Sequence, residues 1–310
     1  MEGKKTGVLL INFGAPKKLE EVASFVTHIF NGRKLPEHVL KMTQEKYSLI
    51  GGGSPLYAIT SAQALRLEEE LKKRGRSIPV YIGMLHSKPF ISQSVEKMVQ
   101  EGINKIIALS LAPFYSRVSS GAYYAQVEQM KEKIPSHVSI TYGREWYHHP
   151  LFIQAWVEKI SQALRDDGYG EEVNLIFTTH SLPLNPMEDA LVYKRQFQET
   201  VKAVGERFPW NKVYPAYQSK GKRPGNWLAP PVEEVIKKLA AQGEKKVLII
   251  PVGFVADHLE TLYDLDIELK KLAEKEGIDF RRIPALNNDS GFIKLLGELV
   301  LANIDISCAE

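Results

Sequence analysis

Short runs of apolar residues alternate with longer amphipathic segments along the whole chain. The apolar runs lie at 7–13, 80–85, 105–112, 138–142, 174–179, 213–217 and 247–252. Several are apolar at nearly every position, which is typical of parallel strands covered on both faces. Segments with helical spacing of apolar positions lie between them, at 62–73, 92–100, 152–164, 233–241 and 257–275. The alternation predicts an α/β fold of open parallel sheets flanked by helices, with functional groups at the carboxyl ends of strands.

Two pairs of similar segments suggest an internal repeat. One apolar run ends in LHSKP at 85–89 and another in THSLP at 179–183, while EGINKIIALSLAP at 101–113 resembles QGEKKVLIIPVGF at 242–254. We therefore predict two similar α/β lobes, residues 1–145 and 146–310, with the last helix packing back on the first lobe. No low-complexity linker separates the halves, so we expect close packing with a cleft between them.

The amino-acid composition excludes several classes of protein and of metal site. The 40 Lys and Arg residues and 37 Asp and Glu residues give a formal net charge of +3, with both signs alternating along the chain. Nucleic-acid-binding proteins concentrate basic residues on one face, so no nucleic-acid partner is expected. The single cysteine, Cys308, excludes an intramolecular disulfide framework, a Cys-ligated zinc site and a Cys-ligated iron–sulfur cluster.

The sequence contains no evident targeting or membrane-spanning segment. The apolar run near the start is shorter than a signal-peptide core, and no run approaches the roughly 20 residues of a transmembrane helix. We therefore expect a soluble, cytoplasmic protein. The glycine-rich segment IGGGSP at 50–55 is followed by neither Lys-Ser nor Lys-Thr, so it is not a P-loop. It is interpreted as a flexible loop or a close backbone approach to a ligand.

His180 follows a buried-type strand and precedes Pro183, which stiffens the exit from the strand. An imidazole at the carboxyl end of a strand suits a general base or a metal ligand, because histidine titrates near neutral pH. A histidine that only hydrogen-bonds the loop fits the position equally well.

Three carboxylates, Glu260, Asp264 and Glu268, recur at every fourth position of the segment that follows the last apolar run. A helix is predicted to open near Asp257, a reasonable N-cap. On an α-helix each step of four residues overshoots one turn by about 40°, whereas a π-type turn would bring the carboxylates nearly into line. Such a ladder needs a cation such as hydrated Fe²⁺ or Mg²⁺. A solvated acidic face is the alternative interpretation.

A loop after the run at 213–217 combines cations with a tryptophan. Lys220, Lys222 and Arg223 precede Trp227 in this loop. A flat apolar ligand that carries carboxylates would match the combination. An exposed basic loop with a buried tryptophan anchor fits it as well.

Taken together, these segments resemble the ferrochelatases, which insert Fe²⁺ into a porphyrin late in haem synthesis. The resemblance rests on THSLP at 179–183, QS at 218–219, WL at 227–228, PVGF at 251–254 and DHLETLYD at 257–264. Weaker support comes from NFGAP at 12–16, Tyr47 with GGGSPL at 51–56, and LAP at 111–113. The motifs follow the family's order near its spacing from residue 7 to about residue 268.

The resemblance implies two Rossmann-like lobes with a porphyrin cleft, no permanently bound cofactor, and Fe²⁺ as a substrate. His180 matches the family's active-site histidine and Glu260 its facing glutamate, so both are implied in catalysis and in binding Fe²⁺. Asp264 and Glu268 match an acidic line along a π-helix, which implies a secondary metal site or route that could hold Mg²⁺.

The resemblance also implies a set of porphyrin-binding residues. They are Phe13, Phe30, Lys46, Tyr47, Ser54, Tyr123 and Trp227. Relatives that use coproporphyrin III carry tyrosine in place of Phe13 and arginine in place of Phe30, and relatives of this size often carry arginine in place of Lys46. The compact length favours coproporphyrin III as the substrate, with protoporphyrin IX as the alternative.

The implied partners are the porphyrin and Fe²⁺, with transient contacts to other enzymes of haem synthesis. A cobalt or nickel chelatase is a competing interpretation, but it would carry histidines in place of Glu260. A non-catalytic carrier of tetrapyrroles or metals is an alternative of another class, and it would bind haem without turnover.

Overall fold

The computed structural model describes residues 5–33, 36–166, 173–184, 189–221 and 224–305. Cys308, Lys222 and Arg223 therefore lie outside the described residues. The described part forms two compact units. The first contains the described residues of Met1–Ala112, Arg117–Glu145 and Asn288–Glu310, and the second contains those of Pro113–Ser116 and Trp146–Asn287. The chain thus divides between Glu145 and Trp146, and the last helix groups with the first unit.

The strands in chain order are β1 (Thr6–Asn12), β2 (Val80–Met84), β3 (Lys105–Ser110), β4 (Ser139–Tyr142), β5 (Asn174–His180), β6 (Val213–Gln218), β7 (Lys246–Ile250) and β8 (Asp279–Arg282). The α-helices are α1 (Val22–Ile29), α2 (Glu37–Leu49), α3 (Leu56–Lys73), α4 (Ile91–Gln100), α5 (Ser120–Lys131), α6 (Pro150–Asp166), α7 (Ala190–Gly205), α8 (Val232–Ala241), α9 (Leu259–Leu262), α10 (Lys270–Lys275) and α11 (Ser290–Asp305). A 3₁₀ turn covers Leu19–Glu21, and a π-helix covers Asp264–Leu269.

The first unit is built on a parallel sheet with the strand order β2-β1-β3-β4. Strand β1 lies inside this sheet, where Leu9 pairs with Tyr81 of β2 and with Ala108 of β3. Because both faces of β1 are covered, its central residues are fully buried, which explains the uninterrupted apolar run. Helix α11 belongs to this unit, and the Asn288 carbonyl just before it accepts a hydrogen bond from Arg66 of α3 at 2.8 Å.

The second unit repeats the arrangement with the order β6-β5-β7-β8, again all parallel. Its hydrophobic core joins Ile176 of β5 and Ile249 of β7 to Ile236 of α8. Leu265 and Leu269 of the π-helix are buried in the same core, so this helix is anchored to the sheet through its apolar side.

The predicted α/β fold of parallel sheets is confirmed, and each predicted strand is present with ends shifted by at most two residues. Strand β8 was not predicted because it reads DFRR, in which Phe280 is the single apolar residue. The segments at 101–113 and 242–254 contain β3 and β7, which hold the same place in the two sheets. The other similar pair is not equivalent, because 85–89 follow the edge strand β2, whereas 179–183 overlap the end of the inner strand β5.

Within the described ranges, no helix combines the length and apolar character that a membrane span requires.

Candidate active site

His180 is the last residue of β5, the strand at which the order of the second sheet reverses between β5 and β7. Ligands of open α/β sheets bind outside the carboxyl ends of the strands at such a reversal. The preceding residues of β5 are buried, and His180 is the first that reaches the surface. The strand therefore delivers an imidazole to the position predicted from the sequence.

The two residues that precede His180 in β5 are tightly packed. The Thr179 hydroxyl is hydrogen-bonded to the hydroxyl of Tyr193, which is almost entirely buried, and burial raises the pKa of that phenol. Gly253, after β7, donates its backbone N–H to the Thr178 carbonyl at 3.1 Å. A Cβ atom at Gly253 would lie only 2.0 Å from Thr179 Oγ1, so this position requires glycine.

Glu260 lies in the first turn of α9 and faces two imidazoles. Its Oε1 is 3.6 Å from His180 Nε2, and its Oε2 is 3.8 Å from Nε2 of His258. The His180 and Glu260 side chains are 33% and 30% exposed, so a ligand can reach both. The sequence analysis paired His180 with Glu260 but did not single out His258 as a site residue.

Backbone carbonyls fix the tautomers of the two histidines. His180 Nδ1 is 2.5 Å from the Ser181 carbonyl oxygen, and His258 Nδ1 is 3.1 Å from that of Ala256. Because a carbonyl only accepts, each Nδ1 carries the hydrogen, and each neutral ring presents an Nε2 lone pair. Two ligands of a tetrahedral zinc-sized ion are about 3.4 Å apart, close to the separation of His180 and Glu260. The pair can therefore accept a proton or bind a divalent cation.

The pKa of His258 is raised above its ordinary value. Burial alone would lower it, but the Glu260 carboxylate, the Ala256 carbonyl and the Asp257 charge together outweigh burial. Gln218, at the end of β6, donates its side-chain amide to the Glu260 carbonyl at 2.8 Å and so fixes the backbone of the same turn.

The π-helix that the family resemblance implies is present at Asp264–Leu269, and Glu260 lies before it in α9. Asp264 accepts a hydrogen bond from the Ser219 hydroxyl at 2.5 Å, and Ser219 has a left-handed φ of 56°. Partial desolvation and the charges of Asp264 and Glu268 raise the pKa of Glu233 on α8, although this residue is exposed overall. Glu233 thus faces the same acidic surface, which the sequence analysis did not detect. Among the described residues, no three His, Cys, Asp or Glu side chains converge closely enough to hold a metal ion.

Asp257 does not act as the predicted N-cap. The helix begins at Leu259, with His258 in the capping position. The Asp257 carboxylate instead accepts hydrogen bonds from Arg282 Nη1 and from the Asn287 amide, both at 2.8 Å. The prediction was wrong because a buried guanidinium from β8 binds this carboxylate in preference to the helix N-terminus.

Arg282 binds carboxylates at two points of the segment that carries Glu260 and Asp264. Besides Asp257, its Nε and Nη2 bind the two carboxylate oxygens of Asp266, each at 2.6 Å. This bidentate pair connects β8 to the π-helix. We call Arg282, Asp257 and Asp266 the arginine bridge. It holds this segment at Asp257 and at Asp266, which lie on either side of Glu260 and Asp264 in the sequence.

The loops after β5 and β6 are tied together. Leu228 donates its N–H to the Leu182 carbonyl at 2.9 Å, and Pro183 forms an isolated bridge with Trp227. Trp227 is half-buried, and a Cβ atom at Gly221 would lie 2.6 Å from its ring. The tryptophan is therefore anchored in the loop while part of its ring stays accessible.

The other predicted porphyrin-binding residues belong to the first unit. Phe13, after β1, is half-buried, and Phe30, at the end of α1, is 37% exposed. The remaining four are Lys46, half-buried on α2, and the buried Tyr47, Ser54 and Tyr123. Their contact with porphyrin stays a prediction.

The glycine-rich segment makes a close approach to the chain's own backbone. A Cβ atom at Gly53 would lie 2.2 Å from the Lys17 carbonyl oxygen, and the Ser54 N–H donates to the Pro16 carbonyl at 2.8 Å. Gly51 and Gly52 have φ values of 102° and 88°, which favour glycine. These contacts explain the three glycines without a ligand.

Comparisons with known proteins identify the family of the chain. A family model described as Ferrochelatase matches residues 5–304. The chain is 37% identical to a ferrochelatase of Aquifex aeolicus, over 96% of this chain and 98% of that protein. It is 36% identical to a coproporphyrin III ferrochelatase of Oceanobacillus iheyensis, over 97% of each chain.

A solved structure has a similar fold at low sequence identity. It is SirB from Bacillus subtilis with Fe³⁺, with a TM-score of 0.60 and 15% identity, covering 96% of this chain and 94% of that one. The match of the family model over nearly the whole chain, together with relatives above 30% identity, shows that this chain belongs to the ferrochelatase family.

Proposed function

We propose that this protein inserts Fe²⁺ into a porphyrin, with coproporphyrin III as the preferred substrate. The observation that carries the proposal is the open pair of His180 Nε2 and Glu260 Oε1, 3.6 Å apart at the carboxyl edge of the second sheet. Metal insertion removes two protons from pyrrole nitrogens and brings a dehydrated dication to the same four-nitrogen centre. A site for this reaction needs a base and an anionic ligand close together, and this pair supplies both.

His180 is the proposed acceptor of a pyrrole proton. Its Nδ1–H bonds to the Ser181 carbonyl, so Nε2 holds the lone pair that takes up the proton. The resulting imidazolium is stabilised by the Glu260 carboxylate, which faces the same nitrogen. The hydrogen bond to Ser181 and the packing of Thr179 against Gly253 hold the ring ready for this transfer.

Glu260 has two roles that its geometry allows. One carboxylate oxygen faces His180, and the other faces His258, so a proton received from His180 can pass to the second imidazole. The same carboxylate is also a suitable ligand for the incoming Fe²⁺. Asp264 and Glu268 continue the acidic surface from Glu260, and we propose them as a secondary site or route for divalent cations, Mg²⁺ included.

Relatives named coproporphyrin III ferrochelatase and relatives named simply ferrochelatase match the chain equally well, so the preference for coproporphyrin III rests on the charge of the substrate. Coproporphyrin III carries more propionates than protoporphyrin IX. Lys46 on α2 and Lys220 after β6 are cationic side chains among the segments that resemble the porphyrin site. We place the reaction in the cytoplasm, a reducing compartment that suits a Fe²⁺ substrate.

The test is an anaerobic insertion assay with Fe²⁺ or Zn²⁺, followed by porphyrin absorbance, with coproporphyrin III and protoporphyrin IX compared side by side. A higher kcat/KM for coproporphyrin III supports the proposal, and a higher value for protoporphyrin IX overturns the substrate assignment. Tight binding of both porphyrins without insertion of either metal would overturn the chelatase activity and leave the carrier function.

A further inference from the structure

Two histidines of the first unit face each other beside Phe13, a predicted porphyrin-binding residue, and neither has been assigned a role above. His28 lies near the end of α1, and His86 lies two residues after β2. Their Nδ1 atoms are 3.0 Å apart, and the ring centroids are 5.2 Å apart at an angle of 72°. The family motifs found in the sequence include neither residue.

The backbone around His86 is closely held. His86 donates its backbone N–H to the Phe13 carbonyl at 2.9 Å, and Ala15 donates to the Ser87 hydroxyl at 3.2 Å. Gly14, with a φ of 91°, allows this approach, because a Cβ atom there would lie 2.6 Å from Ser87 Oγ. The Phe13 ring packs edge-on against the His86 imidazole, with centroids 4.6 Å apart. The His86 imidazole is therefore fixed by the segment that follows β1.

His28 is held by stacking and is open to solvent. Its imidazole stacks on the Phe90 ring at a centroid distance of 5.0 Å and an interplanar angle of 23°. It also lines an open groove of about 610 Å³, together with polar side chains of Ser24, Thr27 and Asn31. A small hydrated ion can therefore reach His28 from this groove.

The two facing nitrogens suit a metal ion of a particular class. Two imidazole nitrogens bound to one tetrahedral zinc ion are about 3.3 Å apart, so the observed pair needs to open by only about 0.3 Å. Imidazole favours Zn²⁺, Cu²⁺, Fe²⁺ and Ni²⁺ over Mg²⁺ and Ca²⁺. Burial and the neighbouring His28 lower the pKa of His86 to about 4, so this ring carries a lone pair at neutral pH.

We propose that His28 and His86 form a binding site for a divalent transition-metal cation, with waters in the adjoining groove completing the coordination shell. The site belongs entirely to the first unit and uses neither His180 nor Glu260. It is a further metal site in a protein whose proposed reaction consumes a cation of the same class.

The test measures Zn²⁺ binding by titration calorimetry without porphyrin. The full chain carrying His180→Ala and Glu260→Gln provides the background, so that the candidate active site does not contribute. Adding His28→Ala or His86→Ala should each remove one bound Zn²⁺ per chain or weaken it at least tenfold. His38→Ala, which removes an exposed histidine of the same unit, is the matched control and should leave binding unchanged.

A spectroscopic measurement identifies the ligands. Cu²⁺ bound to the same background should show electron paramagnetic resonance couplings from two imidazole nitrogens, and either histidine variant should abolish that signature. Unchanged Zn²⁺ stoichiometry and affinity in both variants, or loss in only one of them, would overturn the proposal and leave a hydrogen-bonded histidine pair. Since no porphyrin is present, this outcome is independent of whether the protein inserts metal.

Discussion

His180 Nε2 lies 3.6 Å from Glu260 Oε1, although the two residues are 80 positions apart and belong to different elements. His180 ends β5, and Glu260 follows the neighbouring strand β7. Parallel neighbours end at the same edge of a sheet, so the topology alone brings both segments together. The close packing of Gly253 against Thr179 then fixes the end of β5, and the arginine bridge fixes the segment that carries Glu260. The proposed chemistry therefore depends on groups that do not themselves react.

Replacing Gly253 by alanine should displace His180. The added Cβ atom would meet Thr179 Oγ1 at 2.0 Å and the Thr179 Cα atom at 2.9 Å, so the end of β5 must move. We expect a loss of about 1–3 kcal/mol in the free energy of unfolding, as for other overpacked cores. Metal insertion should fall at least tenfold, measured at a temperature where the variant is folded.

Gly205→Ala is the matched control, because a Cβ atom at this helical position meets only side-chain atoms of Val213, the nearest at 3.2 Å. It should insert metal at the wild-type rate. Equal rates for wild type and Gly253→Ala would show that the close packing behind His180 has no role in activity.

Replacing Arg282 by methionine should strongly destabilise the second unit. The variant leaves Asp257, whose side chain is only 10% exposed, as an uncompensated buried charge. Loss of one partner from a buried ion pair costs about 3–5 kcal/mol. Urea unfolding measures this cost, with Arg74→Met as the control, because Arg74 and Glu70 form a more exposed pair worth less than about 1 kcal/mol. Similar losses in both variants would contradict a structural role for the arginine bridge.

The arginine bridge should also make the protein sensitive to acid. Burial would raise the pKa of Asp257, but Arg282 and the hydrogen bonds from Asn287, Thr261 and Ala285 lower it below its ordinary value of 3.8. A carboxyl with a lowered pKa in the folded state stabilises the protein above its unfolded-state pKa. This stabilisation is lost as the pH falls through the folded-state pKa.

We therefore expect the difference in unfolding free energy between wild type and Asp257→Asn to be largest near neutral pH. It should begin to shrink below about pH 4, because the unfolded chain then takes up a proton at Asp257, and it should vanish below the folded-state pKa, where both proteins carry a neutral side chain. Urea unfolding at a series of pH values measures it. A difference that stays constant down to the lowest pH at which wild type folds would show that the Asp257 charge does not contribute.

The parallel strands could be predicted because their burial leaves a direct trace in the sequence. The run NLIFTT before His180 is apolar or small at most positions, since both faces of β5 are covered. Strand β8 left no such trace, because an edge strand with two arginines looks like a charged loop. The π-helix was implied by the family resemblance, and the spacing of Glu260, Asp264 and Glu268 was compatible with it, because residues at every fourth position drift around an α-helix.

Contacts between segments distant in sequence could not be predicted in this way. Arg282 is 16 residues from Asp266 and 25 from Asp257, and it lies on β8, which contains neither of them, so no periodicity within one element relates them. His28 and His86 are 58 residues apart and belong to unrelated motifs. Glu233 joins the acidic surface from α8, and only the packing of that helix reveals it. The family resemblance supplied His180 and Glu260 as a pair, but not the residues that hold them.

The most direct test of the proposed mechanism compares Fe²⁺ insertion into coproporphyrin III by wild type, His180→Ala and Glu260→Gln. Porphyrin binding is measured in parallel, and His137→Ala, which removes an exposed histidine, serves as the control. We expect wild type and the control to insert iron, and both site variants to bind porphyrin but lose at least about 100-fold in kcat, the lower end of what general acid–base catalysis contributes. Near-wild-type turnover in either variant would contradict the assignment of His180 and Glu260 as the reacting pair.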